Sequence, residues 1–286
     1  MPFTLAHPAV VLPLFRRPFV PAALVAGAMA PDAPYFLAAL GISATSSEDW
    51  YEPFVNATVT HSPLGLLLGL PATVALVLLY WALRQPLAAL LQAATPPLDV
   101  RNKVQYGGWL LVSGVIGIAT HLGWDYLTHG DYLPSGAREA SIIGGLSGPR
   151  LLQYGSTAIG LVAIGWHLWR HRQRSRASTG LKPAWRWGIA ALLIAVPLLG
   201  GLAAVPQDYN TFQTVTNVDY DHPIVVDEGN GVTSTSYPTT TADAPWGVVA
   251  EGVLTGFAKR AGAAFLVALL LYATAWHLVA ARRRIR

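Results

Sequence analysis

The sequence predicts an all-α protein that crosses a lipid bilayer several times, and three observations carry that prediction. Only 12% of the 286 residues are charged, about half the roughly 25% usual in soluble domains, and the mean hydropathy is +0.41. Several apolar runs reach the ~20 residues that a bilayer-spanning helix needs. The basic residues gather beside the ends of those runs, the pattern that orients membrane helices. The formal net charge of +4 therefore reads as membrane topology, and no nucleic-acid partner is expected.

The chain opens with an apolar stretch over 1–14 that contains His7, then Arg16-Arg17, a second apolar stretch over 19–30, and Pro31-Asp32. Each stretch is too short to span. Pro21 interrupts the second and Pro31 follows it, which argues against a cleaved leader. The expectation is a pair of short helices folded as a hairpin within the membrane boundary. The polar segment 41–60 is an extramembrane loop. Ser62-Pro63 then suits a helix start, with proline in the first turn.

Five full spans follow: 64–83, about 105 into the stretch 120–129, 151–169, 185–205 and 254–280. The segment 85–103 holds an apolar, interfacial piece. Segment 133–149 is rich in Gly and Ser and reads as a loop, and 206–250, Thr-rich and acidic, reads as a loop in water. Two regions result: a motif-bearing membrane core over 1–140, and three further spans with the polar loop over 141–286. Arg84, Arg101, Lys103, the basic run 170–176 with Lys182 and Arg186, and Arg282-Arg283-Arg284 can all be cytoplasmic at once if the five spans alternate in direction. Lys259-Arg260, near the outer end of the last span, is the exception. This arrangement puts His61 and the stretch 120–129 on the same, non-cytoplasmic side.

That stretch, Thr120-His121-Leu122-Gly123-Trp124-Asp125-Tyr126-Leu127-Thr128-His129, carries the chemistry. His121, Asp125 and His129 recur every four residues, so a helix places them on one face, one turn apart. Imidazole and carboxylate groups converging on one face suit a divalent transition metal. Ionisable groups within a membrane helix are retained only for a reason. The chain has no cysteine, which removes disulfides, thiolate ligands and cysteine nucleophiles. Any metal must be held by His, Asp and Glu. His7, Asp32 and His61, all at the ends of apolar segments, are the candidates to complete the site. Each also has a plainer reading: Asp32 as a helix N-cap, His61 as an interfacial residue, His129 as a solvated one, and His7 with the weakest spacing argument of all.

The pieces Met1-Pro2-Phe3-Thr4-Leu5-Ala6-His7-Pro8, Met29-Ala30-Pro31-Asp32, Thr60-His61-Ser62 and His121-Leu122-Gly123-Trp124-Asp125-Tyr126-Leu127-Thr128 carry a resemblance. In this order they resemble a bacterial membrane-protein family of unknown function whose members open with the first of them. They are also similar to the inner-membrane metal-dependent hydrolases of the YdjM type. More distantly, the order His, Asp, His, HxxxD is similar to the zinc-dependent phospholipases C and single-strand nucleases. The resemblance implies that His7, Asp32, His61, His121 and Asp125 are metal ligands, with His129 an optional further one. It also implies one or two divalent ions, zinc above all, and a bacterial inner-membrane location. A second HxxxD is absent: His167 is followed four residues on by His171.

The function expected is a membrane-embedded, metal-dependent hydrolase acting on a phosphoester in a lipid or membrane-proximal substrate. Metal-activated water would attack, with Asp32 and Asp125 as the catalytic carboxylates. One rival is a transporter or channel with a His/Asp pathway. It fits less well, because the middles of the first, third and fourth spans are nearly all apolar and no internal repeat is visible. The other rival is a structural protein that keeps a metal only for folding.

Overall fold

The computed structural model describes residues 4–93, 102–130, 132–143, 146–171, 181–229 and 232–285. Residues 1–3 of the opening motif, Arg101, and Arg172, Arg174 and Arg176 of the basic run lie outside the described residues. The N-terminal stretch is a 3-10 helix, Thr4–Leu14, with Pro8 and Pro13 inside it. Each proline removes an amide donor, which disfavours a regular α-helix. Helix α1 (Pro21–Met29) starts with proline in its first turn. A single 3-10 turn, Ala30–Asp32, then leads into α2 (Ala33–Ala39).

Together Pro21–Ala39 form a nearly continuous 19-residue apolar run, long enough to cross a membrane. The expectation that both N-terminal pieces are too short to span is therefore corrected for the second one. Pro31 and Pro34 do not stop the run, because each falls in the first turn of the segment that follows.

Two four-residue helices, α3 (Glu52–Val55) and α4 (Ala57–Thr60), lie within the segment read as a loop. Asn56 caps α4 by accepting from the amides of Thr58 and Val59. Helix α5 (Gly65–Leu91) continues through Pro86 into the piece read as interfacial. Helix α6 (Lys103–His129) is capped by Asn102 and ends at Gly130 in the left-handed conformation. After α7 (Ser135–Glu139) and the short antiparallel pair β1 (Ser141–Ile143) and β2 (Leu146–Ser147) comes α8 (Gly148–His171). Then follow α9 (Pro183–Leu202) and α10 (Val205–Phe212).

Four strands come next: β3 (Thr214–Val218), β4 (Ile224–Gly229), β5 (Val232–Ser236) and β6 (Thr239–Asp243). Helix α11 (Trp246–Ile285) closes the chain. Among the described residues, five helical runs are long and apolar enough to cross a membrane, as the sequence predicts, but the set differs by one. The Pro21–Ala39 run qualifies and α8 does not, because Gln153, Ser156, Thr157 and His167 dilute its apolar surface.

The chain divides into two compact units, 1–190 with 269–286, and 191–268. In the first, α1 and α6 touch backbone to backbone. A Cβ on Gly117 would lie 2.4 Å from the Leu24 carbonyl oxygen, and one on Gly27 would lie 2.3 Å from that of Gly114. Small residues permit such close approach between membrane helices. The Val20 amide donates to Ser113 Oγ at 3.0 Å, pinning the start of α1 to α6. Val20, Ala23 and Ala26 pack with Val77 of α5, covered by Trp81 and Trp109. Val11, Leu24 and Ala28 pack beneath the N-terminal helix, and Gly160 of α8 meets Ala6 on that helix.

In the second unit, β3 pairs with β6 and β4 with β5, both antiparallel, as nested hairpins. The segment 206–250 is thus a helix and a β-ribbon, a correction to the loop reading. Its Thr, Val and Ile residues are strand formers, and this preference outweighs the polar composition that suggests a loop. Asp208 of α10 is buried and accepts from Arg260 of α11 at 2.8 and 2.6 Å. Gly256 leaves room for this carboxylate, since a Cβ there would sit 2.1 Å from Asp208 Oδ2. Arg260, the exception to the basic pattern, is therefore one half of an ion pair.

Gly117→Leu should lower the thermal unfolding midpoint of the detergent-purified protein. Overpacking costs roughly 1–3 kcal/mol, whereas Gly108→Leu, at a position with nothing within 4 Å of an added Cβ, should change it little. In unit two, Arg260→Gln should destabilise more than Asp208→Asn with Arg260→Gln, because the single change leaves a buried carboxylate unpaired. Equal midpoints for the two would contradict the pairing.

Candidate metal centre

The α1–α6 crossing sets the register of the site. Gly117 lies one turn before His121, so the close approach brings His121 alongside the end of α1. Its Nδ1 donates to the Ala28 carbonyl at 2.8 Å. A carbonyl only accepts, so Nδ1 carries the proton and the Nε2 lone pair faces inward. His61, just after α4, is fixed the same way, with Nδ1 donating to the Ala57 carbonyl at 2.7 Å. Thr60 ties that turn to the Ala30–Asp32 segment by donating to the Pro31 carbonyl at 2.8 Å. Histidines that hold a metal characteristically donate their second ring N–H to a backbone carbonyl or a carboxylate.

The inward atoms converge. The Nε2 atoms of His61 and His121 are 3.3 Å apart. Asp32 Oδ1 lies 3.2 Å from the first and 3.7 Å from the second. Asp125 Oδ2 lies 3.5 Å from His61 Nε2 and 3.3 Å from His121 Nε2. Asp125 Oδ1 faces His7 Nε2 at 3.6 Å, and the His7 ring stacks on His121 with centroids 3.8 Å apart. Two triads have the reach of metal ligands: His7, His121 and Asp125, and Asp32, His61 and His121.

Donors held tetrahedrally at zinc bond lengths of 2.0–2.2 Å lie about 3.3–3.6 Å from one another, so the separations fit a small divalent ion. Two further observations favour a cation here. With both Nδ1 atoms protonated, the facing Nε2 atoms of neutral rings present lone pairs to each other at 3.3 Å, which calls for a proton or a metal between them. Five of the six buried side-chain atoms without a hydrogen-bond partner among the described residues also belong to this cluster: both nitrogens of His7, Asp32 Oδ2 and both oxygens of Asp125.

Asp32 occupies the N-cap position of α2 but caps nothing with its side chain, so the plain N-cap reading does not account for it. His129 is in neither triad. Its Nδ1 donates to the Asp125 carbonyl at 2.8 Å and stands 4.0 Å from Asp125 Oδ1. Side-chain exposure rises from zero at Asp32 and His121, through 10% at Asp125 and 19% at His61, to 31% at His129, which marks the open side of the cluster. Burial opposes protonation of His61, but the hydrogen bonds to Asp32 and to the Ala57 carbonyl outweigh it and raise its pKa above 6.5.

Sequence reasoning missed Tyr35, three residues beyond Asp32, whose ring centroid is 5.9 Å from that of His61. Its i,i+3 spacing on a helical run was a usable signal. The Ala28 and Ala57 carbonyls had none.

The match to known families covers residues 1–274 and is to a domain of unknown function, DUF4184. The chain belongs to that family. Neither the curated proteins nor the solved structures contain a match.

A proton and a metal ion compete for the inward nitrogen of His61. The affinity for a divalent ion should therefore begin to weaken as the pH falls below the raised His61 pKa, at a higher pH than an unperturbed histidine would give. Elemental analysis after equilibrium dialysis across pH 5–8 measures this. His7→Ala should lower retention, whereas His129→Ala should leave it nearly unchanged.

Proposed function

We propose that this chain is a metal-dependent hydrolase of the bacterial inner membrane, acting on a phosphoester at the non-cytoplasmic surface. The observation that carries the reading is the convergence of three imidazoles and two carboxylates with metal-donor spacing. Asp32, His61 and His121 would hold one ion, and His7, His121 and Asp125 form the alternative triad. When bound, a divalent cation such as zinc supplies a Lewis acid that acidifies water and polarises a phosphoryl oxygen.

The chain's own residues do the rest. The Ala28 and Ala57 carbonyls hold the two rings in the tautomer that presents Nε2 inward. Asp32 Oδ2, buried with no hydrogen-bond partner, accepts the proton of the attacking water. Asp125 presents one oxygen to His7 and the other to His61 and His121. The more exposed edge, along His61 and His129, admits substrate and water.

Depth supports a substrate presented by the membrane. Helix α6 has 27 residues and is about 40 Å long, against about 30 Å of hydrocarbon. His121 lies about 12 Å from its C-terminal end and Asp125 about 6 Å, near the boundary where lipid phosphates sit. Tyr126, Tyr132 and Trp50 are exposed close to the site in sequence, as suits an interfacial aromatic belt. Arg84 and Lys103 lie toward the opposite ends of α5 and α6, which favours the non-cytoplasmic side for the cluster. The similarity of the His, Asp, His, HxxxD order to the YdjM-type and phospholipase C-type hydrolases points the same way.

The test is hydrolysis of bis(p-nitrophenyl) phosphate, and of a phospholipid in mixed micelles, by the zinc-loaded protein. Wild type should be active and lose activity with chelator, and Asp32→Asn should fall by about 10²–10⁴-fold, the range for losing a general base, while folding intact. Activity that survives His121→Ala, or bound zinc with no hydrolysis of either substrate, would overturn the reading; the second result would favour a structural metal.

A further inference from the structure

A cavity of about 380 Å³ opens beside α4, on the segment that carries His61. Four hydroxyl side chains line it, those of Ser43, Thr45, Ser46 and Ser47, together with Glu52 and Asn56. Ala57 lines it too, and the Ala57 carbonyl is the one that holds the His61 ring. One turn of helix, about 6 Å of rise, separates Ala57 from His61. The cavity therefore adjoins the metal-donor cluster through a shared residue.

Its chemistry narrows the occupant. No lysine, arginine or histidine lines it, so nothing there neutralises a phosphate. No aromatic ring lines it either, so the cage that recognises a quaternary ammonium is missing. Glu52 is engaged with the Asn56 side-chain amide, and Asn56 Oδ1 caps α4. The Ser46 hydroxyl oxygen accepts from the Glu48 amide and keeps its own proton to donate. The side-chain hydroxyls of Ser43, Thr45 and Ser47 have no protein partner among the described residues. What remains is a set of hydroxyl donors and acceptors in a cavity within the ~300–1,000 Å³ range of small-ligand sites.

We infer that this cavity is a subsite for an uncharged, polyhydroxylated group, a polyol or sugar, carried by the phosphoester substrate. The inference rests on the hydrolase reading for its place in a reaction. The phosphate lies at the His/Asp cluster and the hydroxylated head lies over α4.

The test uses the full chain in phosphatidylcholine nanodiscs, free of sugar detergents, with saturation-transfer NMR to myo-inositol, and choline and inorganic phosphate as comparators. Transfer to myo-inositol is expected, with little to the other two. The Ser43→Ala, Thr45→Val, Ser47→Ala triple variant should bind it at least about tenfold more weakly, from the net value of three lost hydrogen bonds. Ser47→Phe, which fills the cavity, should abolish transfer. Equal transfer to wild type and both variants, no transfer at all, or preference for choline or phosphate would overturn the assignment.

Hydrolysis of bis(p-nitrophenyl) phosphate, which carries no polyol, should be unchanged in the triple variant. A protein that binds myo-inositol but hydrolyses nothing would refute the hydrolase reading and leave the binding site standing. A protein that hydrolyses the diester but binds no polyol would do the reverse.

Discussion

Two carboxylates, Asp32 and Asp125, are buried within 3.7 Å of the same pair of imidazole nitrogens, and the ion-pair partners of both among the described residues are histidines. Moving an anion out of water costs several kcal/mol even after relaxation, and two anions side by side raise that cost. Neutral imidazoles cannot cancel two negative charges. Two protons or one divalent cation can, and a cation in the His7, His121 and Asp125 triad would also engage one of the orphaned nitrogens of His7. The arrangement of the first unit is organised around this demand. The N-terminal helix delivers His7, the turn after α1 delivers Asp32, the segment before α5 delivers His61, and α6 delivers His121 and Asp125. The glycine crossing at Gly27, Gly114 and Gly117 brings these pieces close enough to meet.

Much of this was legible in the sequence, for reasons that differ from residue to residue. The i,i+4 pair His121 and Asp125 shares a face because helical periodicity requires it, and the apolar run around the pair makes the helix certain. The partnership of His61 with that pair followed from charge-derived topology, which puts the start of one span and the end of the next at the same membrane face. His7 had only its place at an apolar-segment end, because its position depends on a 3-10 helix whose prolines disguise it. His129 was in register with the motif yet stays at the rim, since a third group on the same stripe lies a further turn along the helix axis.

What escaped the sequence was mostly backbone chemistry and half-buried surface. The carbonyls of Ala28 and Ala57, which set the tautomers of His121 and His61, belong to residues with no polar side chain. The Pro21–Ala39 run looked broken because prolines usually end helices, but here each stands where a new turn begins. The β-ribbon after α10 looked like loop because threonine and aspartate read as polar, although threonine's branched Cβ favours extended chain. Arg260 looked like a stray charge until Asp208 was found against it. Each case is one of tertiary context overriding a local rule, and the membrane setting sharpens it, since every polar group withdrawn from water must find a partner within the protein.

The hydroxyl-lined cavity beside α4 gives the cluster a neighbour of complementary character: donors for a charged, polarised centre on one side of the His61 segment, and uncharged hydrogen-bonding groups on the other. The hydrolase reading depends on a cation at the cluster, and zinc K-edge X-ray absorption on the purified, zinc-equilibrated protein tests that most directly. A shell of nitrogen and oxygen neighbours at about 2.0–2.1 Å, with the outer-shell scattering of at least two imidazoles that is lost in the His61→Ala, His121→Ala double variant, is the expected result. A protein that retains no zinc, or a spectrum unchanged in that variant, would contradict it.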